Sequence, residues 1–262
     1  MIFTIRIAAL TTGLLLSTCL YAIPPAYTLQ GGFGQIEIGS DSDNYYYLTA
    51  GALFSTSLSK KSIFDLTAEI SAYEYGDSDD LSSQEIFFQG RYSYTPRAGY
   101  RVPTYSFGLR LREEAVEDDD LDATSLMLLA NIFYRIDDKT SIWGGLKLGQ
   151  RDAEETTDIG GIFANLDLHV SPGWIVYTTL GMDRGADSVR SYCAGGFSGG
   201  GRYGRQVSFS ADDCDDLYLT IGANYSIATA HTLDFSASFH DYEIPDGSET
   251  GEFYMIDYFY RF

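Results

Sequence analysis

The feature that most constrains this chain is a two-residue rhythm that recurs in segment after segment. Phe64, Leu66, Ala68, Ile70 and Ala72 alternate with Asp65, Thr67, Glu69 and Ser71, and Tyr105, Phe107, Leu109 and Leu111 alternate with Ser106, Gly108, Arg110 and Arg112. Ile162, Ala164, Leu166, Leu168 and Val170 interleave with Phe163, Asn165, Asp167 and His169; Leu233, Phe235, Ala237 and Phe239 interleave with Asp234, Ser236, Ser238 and His240. Successive side chains of an extended strand point to opposite faces, so each segment has one apolar face and one largely polar face. The rhythm predicts twelve strands, at 27–39, 44–58, 62–75, 84–95, 103–113, 123–136, 139–151, 159–170, 174–183, 216–228, 231–243 and 252–262. In the first of these the alternation slips near Gly34. With 21 Tyr, 16 Phe and 27 Gly against 6 Pro and 3 Cys, the composition suits pleated aromatic surfaces and turns rather than helices or a disulfide scaffold.

The connections alternate too. Ser59-Lys60-Lys61-Ser62, Asp137-Asp138-Lys139, Ser171-Pro172-Gly173 and Ala228-Thr229-Ala230-His231 are tight turns, and only Pro96 to Val102 on that side is longer. Between them lie acidic connections at 40–44, 76–83, 113–122, 152–158, 183–216 and 243–251. An even number of strands puts both termini on the short-turn side. There Tyr92, Tyr94, Tyr105, Tyr134, Trp174, Tyr225, Tyr258 and Tyr260 form a one-sided aromatic belt, as at a membrane interface. Alternation alone would equally suit an exported soluble barrel or sandwich with its apolar face inward. The asymmetric connections and the belt favour lipid outside and water inside: an all-β, antiparallel transmembrane β-barrel of about twelve strands with long acidic loops at one end.

Residues 1–22 read as a signal peptide, with Arg6 as the positive charge, Ile7 to Leu16 as the apolar core and Ala22 as the small residue before cleavage. Residues 23–262 are then the barrel, and nothing in them approaches the roughly 18 apolar residues of a membrane helix. The chain's net charge of −20 argues against nucleic acid as a partner, which would need a basic footprint. In an exported chain, Cys193 and Cys214 are expected to form a disulfide across the one long connection.

The last stretch, 251–262, places Tyr254, Ile256, Tyr258, Tyr260 and Phe262 on one face and Asp257 and Arg261 on the other. Ending on Phe with Tyr at the third and fifth positions from the end, it resembles the terminal strand of Gram-negative outer-membrane β-barrel proteins of the porin-like kind. That resemblance makes the short turns periplasmic and the acidic loops extracellular. It implies a multi-pass barrel in the bacterial outer membrane, surrounded by lipid and lipopolysaccharide. It also makes Tyr258, Tyr260 and Phe262 the signal read by the barrel assembly machinery. No cofactor is implied.

Function is expected in the inward face. Arg91, Arg110, Arg112, Arg135, Lys147 and Arg151 come from four consecutive strands, while Asp65, Glu69, Asp167, Asp234 and Asp257 come from the rest of the circumference. These are the candidate lumen-lining residues of a passive channel for small hydrophilic solutes. The acidic rim would attract cations, including divalent ones, and the basic strip anions. The sequence therefore predicts a weak cation preference that fades or reverses at high salt. The alternatives are a structural or adhesive barrel without an open pore and a barrel hydrolase. His169-Val170-Ser171 has the His-x-Ser spacing of outer-membrane phospholipase A but lacks that family's Asn. Asp77-Ser78-Asp79 with His240-Asp241 resembles the omptin proteases, except that Ser238 stands where their second Asp would be. No catalytic, metal or cofactor site follows from either.

Overall fold

The computed structural model describes residues 22–38, 41–76, 82–97, 101–116, 122–153, 156–185, 214–244 and 247–262. They form β1 (Ala22–Ile38), β2 (Asp41–Ser59), β3 (Ser62–Tyr75), β4 (Ser83–Tyr94), β5 (Thr104–Val116) and β6 (Ala123–Arg135). After these come β7 (Thr140–Asp152), β8 (Thr156–Ser171), β9 (Trp174–Arg184), β10 (Asp215–Ala228), β11 (His231–Ile244) and β12 (Gly247–Arg261). Each strand pairs antiparallel with its neighbours in sequence, and β1 pairs with β12 to close the barrel.

Alternation decides what faces where. Leu128 is 62% exposed on β6, whereas the adjacent Met127 is fully buried; on β8, Ile162 is 59% exposed and Asn165 only 5%. Exposed apolar side chains run around the outside of the wall, among them Leu48, Phe107, Leu148, Leu180 and Ile221. A water-soluble barrel would turn that band inward, because contiguous exposed apolar surface of this extent needs an apolar solvent. The soluble alternative therefore fails on the polarity of the two faces.

One local expectation is sharpened and one corrected. The pairing of β1 does not slip near Gly34: Tyr27, Leu29, Gly31 and Phe33 face out, while Gln30, Gly32 and Gly34 face in, and the ladder to β12 runs unbroken from Thr28 to Ile38. The slip is in polarity alone, since past Gly34 the outward positions are Gln35 and Glu37 while Ile36 turns inward and is buried. Two connections expected to be long, 40–44 and 243–251, are mostly strand, since β1 ends at Ile38 and β2 begins at Asp41, and β11 ends at Ile244 and β12 begins at Gly247. Above the bilayer a strand no longer needs apolar outward residues, so Glu37, Asp241, Glu243 and Glu252 continue the ladders. The one long connection is that between β9 and β10.

The short-turn end is tightly finished. Pro172 and Gly173 turn β8 into β9, with Gly173 at φ +86°, a left-handed conformation in which glycine has no Cβ to clash. In the turn after β6, the Asp137 carboxylate accepts hydrogen bonds at 2.8 Å from the backbone N–H groups of Lys139 and Thr140. The aromatic belt is in place outside, with Trp174 stacked on Tyr225 and Phe262 stacked on both Tyr27 and Tyr260. Tyr27 and Phe262 also exchange both of their backbone hydrogen bonds, at 3.1 and 3.0 Å, which ties the last residue into the closing seam.

Candidate functional site in the barrel lumen

Every polar inward residue faces the same problem: buried polar groups cost free energy unless they are hydrogen-bonded or paired. The wall from β3 to β9 solves it with ion pairs. Asp65 on β3 accepts hydrogen bonds from Arg91 on β4 at 2.8 and 3.2 Å and another from Ser55 at 2.7 Å. Arg112 on β5 lies 3.2 Å from Glu85 on β4, Arg151 on β7 lies 3.6 Å from Glu114 on β5, and Lys147 on β7 lies 2.9 Å from Asp183 on β9. Arg110 donates to Gln89 Oε1 at 3.1 and 3.2 Å and rests its guanidinium 5.1 Å from the centre of the Phe87 ring. Glu69 lies inward over Gly51, in the field of Glu85, Arg110 and Arg112.

The opposite wall, from β9 through the seam to β2, uses tyrosines. Asp234 on β11 and Asp257 on β12 stand directly across from one another in register. The Tyr177 hydroxyl donates to Asp234 at 2.9 Å and the Tyr47 hydroxyl makes a short hydrogen bond to Asp257. Each phenol reaches its carboxylate by lying across a glycine. A Cβ on Gly222 would come within 2.3 Å of the Tyr177 ring, and one on Gly32 within 2.5 Å of the Tyr47 ring and 2.1 Å of Asp257. Amides complete the arrangement: Gln30 donates to the Tyr47 oxygen at 2.7 Å, and Asn224 hydrogen-bonds Asp234. The result is nearly symmetric about the β11–β12 ladder, phenol over glycine to carboxylate on each side.

Of the eleven lumen candidates, nine therefore line the wall as two distinct groups, and Asp167 and Arg135 stand apart. Asp167 belongs to neither: it accepts from Asn165 at 2.6 Å and Ser141 at 3.2 Å near the turn end of β8. Arg135 is exposed at the end of β6, with its guanidinium on the carbonyls of Asp137 and Asp138, so it braces a turn. Sequence reasoning missed Tyr47 and Tyr177, because an inward tyrosine beside a glycine on the next strand becomes visible only once the register is known.

The enzymatic motifs come apart. His240 and Asp241 face opposite sides of β11; the partner of His240 is Asp216 on β10, whose carboxylate oxygens lie 2.9 and 3.0 Å from Nδ1. His169 and Ser171 are exposed beside a turn and straddle a register shift. Asp77, Ser78 and Asp79 lie outside the described residues, as do Cys193, Asp212 and Asp213. Cys214 is fully buried just before β10. Asp215 and Asp216, in the acidic rim, point to opposite faces, and no group of three metal-binding side chains occurs among the described residues.

No protein-family model matches the sequence, and no curated protein is similar to it. Among solved structures, the chain is similar to an outer membrane channel from Pseudomonas putida F1, with a TM-score of 0.58 at 12% identity over 92% of this chain and 97% of that one. Looser likenesses are to a FadL homologue of Pseudomonas aeruginosa (TM-score 0.49, 7% identity, 90% of each chain) and to the translocator domain of the autotransporter NalP from Neisseria meningitidis (0.46, 14%, 100% and 95%). The first shares the fold, a closed antiparallel β-barrel.

Proposed function

We propose that this barrel sits in the bacterial outer membrane and works as a passive channel for small hydrophilic solutes. The observation that carries this reading is the wetness of the inner wall. Arg91 points inward and pairs with Asp65, yet its side chain keeps 45% of its exposure. A guanidinium that is both paired and accessible implies water in the lumen beside it, and twelve strands enclose more space than the small barrels that side chains fill. The test is conductance of the purified, refolded chain in planar bilayers, or swelling of liposomes in sugars of increasing size.

A second reading has its own observation. Near the loop-side end, the inward positions Ile36, Tyr45, Tyr75, Val116, Ile159 and Tyr242 are all buried and mainly apolar. Such a collar would suit a barrel whose outer mouth is shut, in a structural or adhesive role. Absence of conductance at any salt would favour it.

The remaining parts of the proposal concern maturation. Residues 1–22 are removed as a leader; β1 begins at Ala22, where cleavage is expected. Tyr258, Tyr260 and Phe262 direct assembly, and Cys193 and Cys214 form a disulfide. The last is supported by the burial of Cys214 and by its bonded state. A shift in gel mobility on reduction, lost in Cys193→Ser, tests it.

A further inference from the structure

We propose that Asp234 and Asp257 set the charge preference of the pore and make it a cation pathway at high as well as low salt. This rests on the channel reading and adds to it a solute class and the residues that choose it.

The first step is the silence of the basic wall. Arg91, Arg112, Lys147 and Arg151 each lie within 4 Å of a carboxylate, and Arg110 stands close enough to Glu69 for the two charges to act on each other. A pair of opposite charges that close acts on a distant ion as a dipole, whose field dies away faster than that of either charge alone. The basic strip therefore contributes little net attraction for anions.

The second step is the contrast across the lumen. Asp234 and Asp257 are opposed on adjacent strands, and the groups that hold them are phenols and amides. A neutral donor steadies a carboxylate without cancelling its charge. Two like charges side by side repel, and a passing cation relieves that repulsion.

The third step is screening. Charges on an exposed rim are screened beyond about 10 Å at 0.1 M salt and about 3 Å at 1 M. Asp257 is 5% exposed and backed by a wall whose outer face is apolar, so its charge is screened less than those on the rim. Its field is focused into the lumen. The cation preference should accordingly persist at high salt, instead of fading or reversing as the sequence alone suggests.

The experiment is a series of reversal potentials in potassium chloride gradients for the full chain in planar bilayers, from dilute to molar salt. The wild type should favour potassium over chloride throughout. Asp234→Asn with Asp257→Asn should lower the potassium-to-chloride permeability ratio several-fold, while Tyr47→Phe with Tyr177→Phe, which keeps both charges, should leave the channel cation-selective. If the double Asn variant does not refold, the single Asp234→Asn variant carries the test, at the half-exposed member of the pair. An unchanged ratio in a conducting Asn variant overturns the inference and leaves the channel standing. A wild type that does not conduct at any salt overturns the channel and this inference with it.

Discussion

Between β3 and β9 the inward groups are joined by opposite charges; from β9 through the seam to β2 they are joined by phenols, amides and carboxylates. Both walls hold buried polar groups, but by means that differ in geometry and in what remains when one member is lost. An ion pair needs two long side chains that meet across the strands, and losing either member strands a charge in a poorly solvated place. A phenol laid over a glycine needs a hole in the neighbouring strand, and is undone by filling the hole. The paired wall is therefore fragile to loss of charge and the tyrosine wall to gain of volume.

The sharpest break of that contrast is Glu114→Gln. The Arg151 side chain is only 6% exposed and its Glu114 partner 3%, so the substitution should cost about 3 to 5 kcal/mol, the usual penalty for a buried charge that loses its partner. Urea titration of the refolded barrel would measure it, and a cost under about 1 kcal/mol would show the pair to be water-screened. Next is Gly222→Ala, which forces the Tyr177 ring away from Asp234 and should cost about 1 to 3 kcal/mol by overpacking. Its control is Gly160→Ala on the lipid face, where an added Cβ meets nothing nearer than Leu148 at 3.9 Å, and which should be nearly neutral.

Asp65→Asn comes third. Because the Arg91 side chain it leaves behind is close to half exposed, the loss should be at most about 1 kcal/mol, as for other solvated pairs. A loss as large as that of Glu114→Gln would mean the lumen near β4 is dry, and would weaken the channel reading. The smallest expected effect lies outside both walls. Asp137 is held below the ordinary carboxylate range chiefly by the backbone N–H of Lys139, with help from Thr140. A lowered folded value means the turn is stabilised above the ordinary carboxylate range and loses that contribution as pH falls through the folded value. Asp137→Ala should flatten the acid limb of the stability profile slightly and leave neutral pH nearly unchanged in shape.

The sequence carried the barrel because its signal is redundant: in β3, β5, β8 and β11 five or so residues each report the same face. It weakened in β1 past Gly34, where apolar Ile36 faces in and Gln35 and Glu37 face out, and at the strand tips, where Glu37 and Glu243 read as loop residues because charge outside a bilayer does not distinguish strand from coil. Of the lumen, Arg91 and Asp65 could be named as facing inward, since parity alone fixes that. Their pairing could not, because which residue stands beside which depends on the register and stagger of separate strands. The same gap hid Tyr47 over Gly32 and set His240 beside the wrong aspartate.

The closing seam bears on how the barrel comes to exist at all. Eleven of the twelve ladders join consecutive strands, and one, between β1 and β12, joins the two ends. Relative to a loop of some 15 residues, bringing together ends separated by most of this chain costs roughly 2 to 3 kcal/mol more in lost conformational freedom, because the cost grows only with the logarithm of length. The hairpins can form early and in any sequence, but the seam is a single late event whose last bonds are those between Tyr27 and Phe262. Until it is made, the protein is an open sheet with two unsatisfied edges, and in hydrocarbon such edges have no substitute partner. The Tyr27–Phe262 pair is the clasp at the short-turn end of that seam, and a Phe262 deletion should let the barrel close with a shorter ladder and a looser edge there.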